Sequence, residues 1–540
     1  MGKKTIILIS PPPLTTDWTP KKVLSGSPGI RMGLLSIGSV LDQQGYRVKI
    51  LDGILGKIDL AFELNQINPQ ETLFVGISSM TAQLPSAVKA ATIIREKHPS
   101  LPIVWGGVHA TLFPEETGAD SLVDVVVIGE GEYTCLELAE ALSGQKEINS
   151  IKGIVYKNSE GKTVFTGHRN HHDLDTLPFP NYELFHLDDY VYRAIIDREN
   201  IKSRKPGRML SIHSGMGCPY TCTFCINTTV YRVGKYYTKS PYRGKSAARL
   251  LDEIEVLIEK YKADFIDFVD ENFFVDKNRF FKFLDGIEER KFKFSWFVSV
   301  RANYFNPNYL TNDVIARASA LGCVMMGIGA ESGSQRILDS LKKGITVEQI
   351  EHAARMLNKH RVVSEFSFMI GLPYETSDDM LKTISFVKKL RKIGPYVGTQ
   401  PPQLYRPIPG GELYNECVRL GFVAPKNIRE WTAEKLQVSG YLDLDKLPWI
   451  KRDNKTTVII RYVTNILSTI KFRWWLIDKS SSFFIKKMAL NFIGILFWLR
   501  ERMNFWKLPI EYKFFEVLQT TKKMLSINYL TYKKPKISND

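Results

Sequence analysis

The sequence predicts an α/β protein made of two successive parallel-sheet units, a connector between them, and a basic helical tail. Three observations predict it. Short apolar strands alternate with amphipathic helices over residues 1–145, the alternation recurs about six times over 206–405, and it ceases near residue 420. The resulting divisions are 1–145, 146–205, 206–420 and 421–540. At 540 residues, 44% hydrophobic and 24% charged, the chain is long enough for about three domains with buried cores.

In the first unit, strands are expected over 5–9, 46–51, 73–78, 103–105 and 125–128, with helices over 32–44, 85–97 and 132–142. Such a doubly wound sheet binds ligands at the carboxyl ends of its strands. Small and polar residues fall at those ends: Ser78, Ser79 and Thr81; Gly106 and Gly107; and Glu130 between two glycines.

The connector holds a hairpin over 153–165, then three histidines, His168, His171 and His172. With no cysteine nearby, they are expected in a solvated linker rather than around zinc. In the second unit, strands are expected over 209–214, 265–270, 294–300, 324–330, 365–371 and 396–405. The intervening helices fall near 246–260, 277–289, 309–320, 347–359 and 378–391. This is a partial (β/α)6 barrel, whose chemistry belongs at the strand C-terminal ends.

The strongest motif follows the first barrel strand: Gly215-Met-Gly-Cys218-Pro-Tyr-Thr-Cys222-Thr-Phe-Cys225. Three thiolates on one loop can hold three irons of a [4Fe–4S] cubane and leave the fourth iron open to a ligand. A structural zinc knuckle would want a second ligand pair, and Cys135, Cys323 and Cys417 stand singly. Six cysteines in so long a chain, three of them in one octapeptide, make no disulfide framework and suit a reducing cytoplasm.

With these residues in place, the sequence resembles the radical S-adenosylmethionine (SAM) superfamily over about 206–405. Its two-unit layout, from residue 5 to about 420, resembles the class with an N-terminal Rossmann-like cobalamin-binding domain. The resemblance implies that Cys218, Cys222 and Cys225 bind the cluster, that SAM chelates the open iron, and that its reductive cleavage yields a 5′-deoxyadenosyl radical. It also implies contacts to SAM from Asp270 or Glu271 (amino group), Ser299, Arg301, Glu331 (ribose) and the segment 368–376. Phe224, the aromatic before the third cysteine, belongs with them. On the N-terminal side, Ser78, Ser79, Thr81, Gly106, Gly107 and Glu130 are the candidates for cobalamin. No histidine precedes His98, so the first strand's loop offers no cobalt ligand, and His109 is expected to be an ordinary loop residue.

The function expected from the resemblance is cobalamin-dependent C-methylation of an unactivated carbon, with a protein reductant such as flavodoxin or ferredoxin. The alternative is oxidative cyclisation or rearrangement without methyl transfer, as in the anaerobic magnesium-protoporphyrin ester cyclases. A non-catalytic cobalamin carrier ranks last, having no use for an open-site cluster. The methylthiotransferase branch carries three further cluster cysteines in its N-terminal domain, where this chain has only Cys135.

The net charge of +16 is concentrated at the C-terminal end, where residues 441–540 hold 19 basic against 8 acidic residues and five of nine tryptophans. A helical cap over the active site is the leading expectation. A membrane-surface patch using Trp474, Trp475, Lys486 and Lys487 is the next, and would suit a lipid-like substrate. No RNA-binding motif occurs, so nucleic acid is not expected. The longest apolar stretch, 488–499, has twelve residues where a spanning helix needs about 20.

Overall fold

The computed structural model describes residues 4–12, 29–53, 59–190, 208–231, 241–432 and 447–463, with a few positions between 496 and 503. The N-terminal sheet is built from β1 (Thr5–Ser10), β2 (Arg47–Asp52), β3 (Thr72–Ser78), β4 (Ile103–Gly106), β5 (Val125–Val127), β6 (Ile154–Lys157) and β7 (Thr163–Phe165). Their order is β2-β1-β3-β4-β5-β6-β7. The first five are parallel, and β6 and β7 run antiparallel on the β5 edge. The hairpin assigned to the connector therefore completes this sheet: Val126 pairs with Val155, burying that edge of β5. Helices Met32–Gln43, Leu84–Lys97 and Glu132–Leu142 cover the sheet, as their 3.6-residue apolar spacing requires.

The remaining described part of the connector is a strap rather than a free linker. Tyr182 and Tyr190 are buried; Tyr182 donates to the Ser211 carbonyl at 2.6 Å and Tyr190 to Asp52 Oδ2 at 2.6 Å. One hydroxyl thus reaches the barrel and the other the N-terminal sheet.

The barrel comprises β8 (Met209–Ile212), β9 (Gly215–Gly217), β10 (Tyr242–Gly244), β11 (Phe265–Phe268), β12 (Ser295–Val300), β13 (Cys323–Glu331), β14 (Val363–Ile370), β15 (Val397–Thr399) and β16 (Gln403–Leu404). Six parallel strands run β8-β11-β12-β13-β14-β15, so the sheet is an open half-barrel with β8 and β15 at its edges. The last expected strand divides into β15 and β16 around Pro401 and Pro402, which have no N–H for a ladder. The short pair β9–β10 was not anticipated; it carries the turn into the cysteine loop.

Phe268, Phe273, Phe283 and Trp296 are almost wholly buried with rings packed edge-on or tilted, and fix β11 and β12 against helix Lys277–Glu289. The same core joins the two units, with Ile30, Met32 and Leu35 packed among the barrel residues. Beyond the barrel, helices Glu412–Arg419 and Asn454–Arg461 are described. Trp474, Trp475, Lys486, Lys487 and the apolar stretch 488–499 lie largely outside the described residues, and so does the expected membrane patch. Among the described residues no helix is long and apolar enough to cross a membrane.

Candidate active site

Gly217 sets the direction of the cysteine loop. Its φ is +85°, and a Cβ there would stand 2.0 Å from the Pro241 carbonyl oxygen, so only glycine fits. Its N–H donates to Glu271 Oε2 at 3.1 Å, while Tyr231 donates to Glu271 Oε1 at 2.6 Å. Glu271 is thus the clamp on the entry to Cys218. Farther on, Thr223 N–H donates to the Leu341 carbonyl at 3.0 Å, and Leu413 N–H to the Thr223 carbonyl at 2.8 Å. The loop is held at both ends by the barrel.

Two sulfurs have donors beside them. Asn272 Nδ2 lies 3.6 Å from Cys218 Sγ, and Arg301 Nη1 lies 3.6 Å from Cys222 Sγ. The Arg301 guanidinium lies over the Tyr220 ring at 3.5 Å and donates to the Lys343 carbonyl, which fixes its plane. Burial, then the neighbouring Cys222 and Cys218, raise the Cys225 thiol, and Lys343 opposes this. Among the described residues, no three His, Cys, Asp or Glu side chains are gathered as ligands for a single ion. The loop nevertheless fits a cluster: three cysteines, two N–H donors aimed at sulfur, and buried Asn272 Oδ1 and Thr223 Oγ1 without partners.

The other expected SAM contacts are distributed unequally. Asp270 is turned inward: Ser214 N–H donates to it at 2.7 Å, the Ser214 hydroxyl donates as well, and Arg279 stands 4.0 Å away. It braces the strand end rather than facing a ligand. Glu331 occupies the left-handed region at φ +62° and pairs with Lys343 at 2.7 Å. Such strain in a non-glycine residue persists only where surroundings hold it, and it gathers at functional sites. Lys343 Nζ also lies 5.6 Å from the centre of the Phe224 ring, so Glu331, Lys343 and Phe224 form one group beside the cluster loop. Ser299 lies on β12 opposite Gly327 in the ladder. Asn272, Lys343 and Tyr220 were not singled out from sequence, although Asn272 stands directly after Asp270-Glu271.

Across from this loop lies a cleft of about 630 Å³, bounded by both units. Ser78, Ser79, Gly107 and Glu130 line it from the N-terminal sheet's carboxyl ends; His213, Met216, Tyr231 and Asp267 line it from the barrel. Thr81 and Gly106 do not line it. The Thr81 hydroxyl instead meets His109 Nδ1 at 3.1 Å. The missing side chain of Gly107 (φ +85°) accommodates the chain itself, since a Cβ would lie 2.8 Å from Ser78 Oγ and from the Ser79 nitrogen. His109 is not a loop residue: it is buried in helix Val108–Leu112 between Phe113 and Trp431, and burial lowers it to about 4.

Two of the three histidines expected to be solvated are also in the site, while His168 packs against Phe165. His171 Nδ1 is 2.9 Å from Glu130 Oε1, and His172 Nδ1 is 3.2 Å from Oε2. Arg243 from β10 completes the cluster on Glu130. These partners outweigh burial and lower the Glu130 carboxyl. Glu130 gathers them because a buried carboxylate needs counter-charges. The cleft fits a large polar cofactor at the sheet's carboxyl ends, with buried Ser79 Oγ and Glu132 Oε2 left without partners.

The comparisons with known proteins agree with this arrangement. Residues 212–387 match the radical SAM superfamily model, and residues 23–139 the B12-binding domain model. An uncharacterized methyltransferase of Pyrococcus horikoshii is 30% identical over 438 residues, 79% of this chain and 86% of that protein. The anaerobic magnesium-protoporphyrin IX monomethyl ester cyclase of Rubrivivax gelatinosus is 26% identical over 63% of this chain and 58% of its own length. Among solved structures, the radical SAM methyltransferase TsrM from Kitasatospora setae, with cobalamin and a [4Fe–4S] cluster bound, superposes with a TM-score of 0.57. Its identity is 19%, over 78% of this chain and 76% of TsrM. The cobalamin-dependent enzyme OxsB superposes with a TM-score of 0.55 at 19% identity, over 71% of this chain and 52% of OxsB. The chain belongs to the radical SAM superfamily, in the group of enzymes that join a B12-binding domain to the barrel and use a [4Fe–4S] cluster, SAM and cobalamin.

Proposed function

We propose that the protein is a cobalamin-dependent radical SAM methyltransferase that methylates an unactivated carbon. The observation that carries this reading is the shared cleft: residues of the B12-binding sheet and of the strand ends flanking the cysteine loop bound one space. A methyl group passed between cofactors and substrate needs the three within reach of one another, and one cleft supplies that proximity. The similarity to a methyltransferase over 86% of that protein's length supports the same reading.

When bound, the cofactors supply an electron, a radical initiator and a methyl carrier. The chain's own residues do the rest. Cys218, Cys222 and Cys225 would hold the cluster, and Arg301 and Asn272 would direct N–H bonds to its thiolates, stabilising negative charge there. Glu331 and Lys343, already paired, would present polar groups to SAM. Glu130, His171 and the backbone at Ser78, Ser79 and Gly107 would contact cobalamin. The Tyr182 strap holds the connector to the barrel.

The second reading is oxidative cyclisation without methyl transfer, favoured by three cyclase relatives at 24–26% identity. Anaerobic assay of the reconstituted enzyme with candidate substrates separates the two. Substrate-dependent 5′-deoxyadenosine together with S-adenosylhomocysteine supports methylation; deoxyadenosine alone supports cyclisation. A small-molecule substrate, a flavodoxin- or ferredoxin-type reductant, cytoplasmic residence and contact of the basic tail with a membrane surface complete the proposal.

A further inference from the structure

We propose that Asp267, backed by Ser211, forms a subsite in the cleft that anchors the substrate through a hydrogen-bond-donating end, an amine or a hydroxyl. The proposal rests on the cleft being where substrate meets the cofactors, and it names the substrate's chemistry there.

Asp267 and Ser211 stand directly opposite each other in the β8–β11 ladder, so their side chains project from the same face. Asp267 lines the cleft. Ser211 Oγ is buried without a hydrogen-bond partner within 3.5 Å among the described residues, yet it is near enough to favour the charged form of Asp267. Gly29 borders the pair, and a Cβ on it would lie 2.8 Å from Ser211 Oγ and 3.8 Å from Asp267 Oδ2. The missing side chain lets the chain itself pass close over Ser211, which leaves Asp267 as the member of the pair that faces the cleft.

Neighbouring carboxylates have cations or several donors against them, where Asp267 has the Ser211 hydroxyl beside it. Asp270 is held by Ser214, Glu271 by Gly217 and Tyr231, and Glu331 by Lys343. Burial, with Asp270 adding to it, pushes the Asp267 carboxyl up to about 6. A buried acceptor in that condition gains from an arriving donor. Val269 and Met216 line the same cleft and suit an alkyl portion next to that donor. A carboxylate or phosphate end would meet like charge.

The test uses the full chain, reconstituted anaerobically with iron, sulfide and cobalamin, near neutral pH. Ligand-observed NMR then compares three probes of equal length: hexylamine, 1-hexanol and hexanoate. The amine and the alcohol should bind, with hexanoate at least about tenfold weaker. Asp267→Asn should weaken the amine by about tenfold and remove the discrimination against hexanoate. Equal binding of hexanoate and hexylamine, no binding by any probe, or an unchanged order in Asp267→Asn overturns the proposal. Should that variant not fold, the wild-type order decides. No probe experiment involves SAM, so loss of this order while both SAM products still form removes the subsite alone. Intact order without S-adenosylhomocysteine removes methyl transfer alone.

Discussion

Arg301 Nη1 stands 3.6 Å from Cys222 Sγ, with its guanidinium stacked 3.5 Å above Tyr220. The two contacts place a fixed positive charge beside one of the three cysteines proposed to hold the cluster. They tie the end of β12 to a loop nearly 80 residues earlier in the chain.

Arg301→Gln should make the cluster harder to reduce, because a cation beside a thiolate favours the more negative state. The shift should be several tens of millivolts downward, on the order of 1 kcal/mol for one electron. A redox titration followed by EPR checks it. An unchanged potential would show that the guanidinium serves only to pack against Tyr220.

Gly217→Ala should destabilise the chain by roughly 2–3 kcal/mol or more, since φ +85° and the Pro241 carbonyl both oppose a side chain. The same variant should load less iron per chain. Thermal melting and iron analysis measure both effects. Wild-type values would mean that the loop relaxes around the new methyl group.

These two positions show how far the sequence was legible. The strands and most long helices announced themselves by apolar periodicity, and the cysteine spacing singled out the loop beside which the structure places Asn272 and Arg301. Asp270 or Glu271 was expected to face SAM from the family resemblance. Their hydrogen bonds to Ser214 and Gly217 are long-range contacts that no local pattern encodes. His171 and His172 lie some 40 residues from Glu130, so a loop-like stretch concealed their place in the cleft. The hairpin was recognisable locally, but its pairing with β5 depended on which sheet edge lay open.

Arg243→Gln should loosen the join between the units. It leaves Glu130 buried with fewer counter-charges, at a cost of about 3 kcal/mol. The connector should become more sensitive to limited proteolysis, and cobalamin retention through gel filtration should fall. Unaltered proteolysis and retention would make the ion cluster incidental.

Glu375 provides a pH prediction. Burial raises its carboxyl to about 8, although the Gly371 and Leu372 N–H groups donate to it. A carboxyl raised in the folded state binds more protons there than in the unfolded chain. Its contribution is therefore fully present below the unfolded value near 4.5 and is lost as pH rises to about 8. Glu375→Gln removes that loss, so its stability should gain on wild type between about pH 5 and 8 by on the order of 4 kcal/mol, read as a widening difference in melting temperature. A pH-independent difference between the two proteins would contradict the assignment.

The central claim is that the cluster barrel and the B12-binding domain act on one methyl group across one cleft. Its most direct test is anaerobic turnover of the reconstituted enzyme with SAM trideuterated at the methyl group, followed by mass analysis of the bound cobalamin and the nucleoside products. The account predicts labelled methylcobalamin, S-adenosylhomocysteine and, with substrate present, 5′-deoxyadenosine. Cys218→Ala should lose the deoxyadenosine and keep the cobalamin. Deoxyadenosine formed without S-adenosylhomocysteine or labelled cobalamin would contradict it.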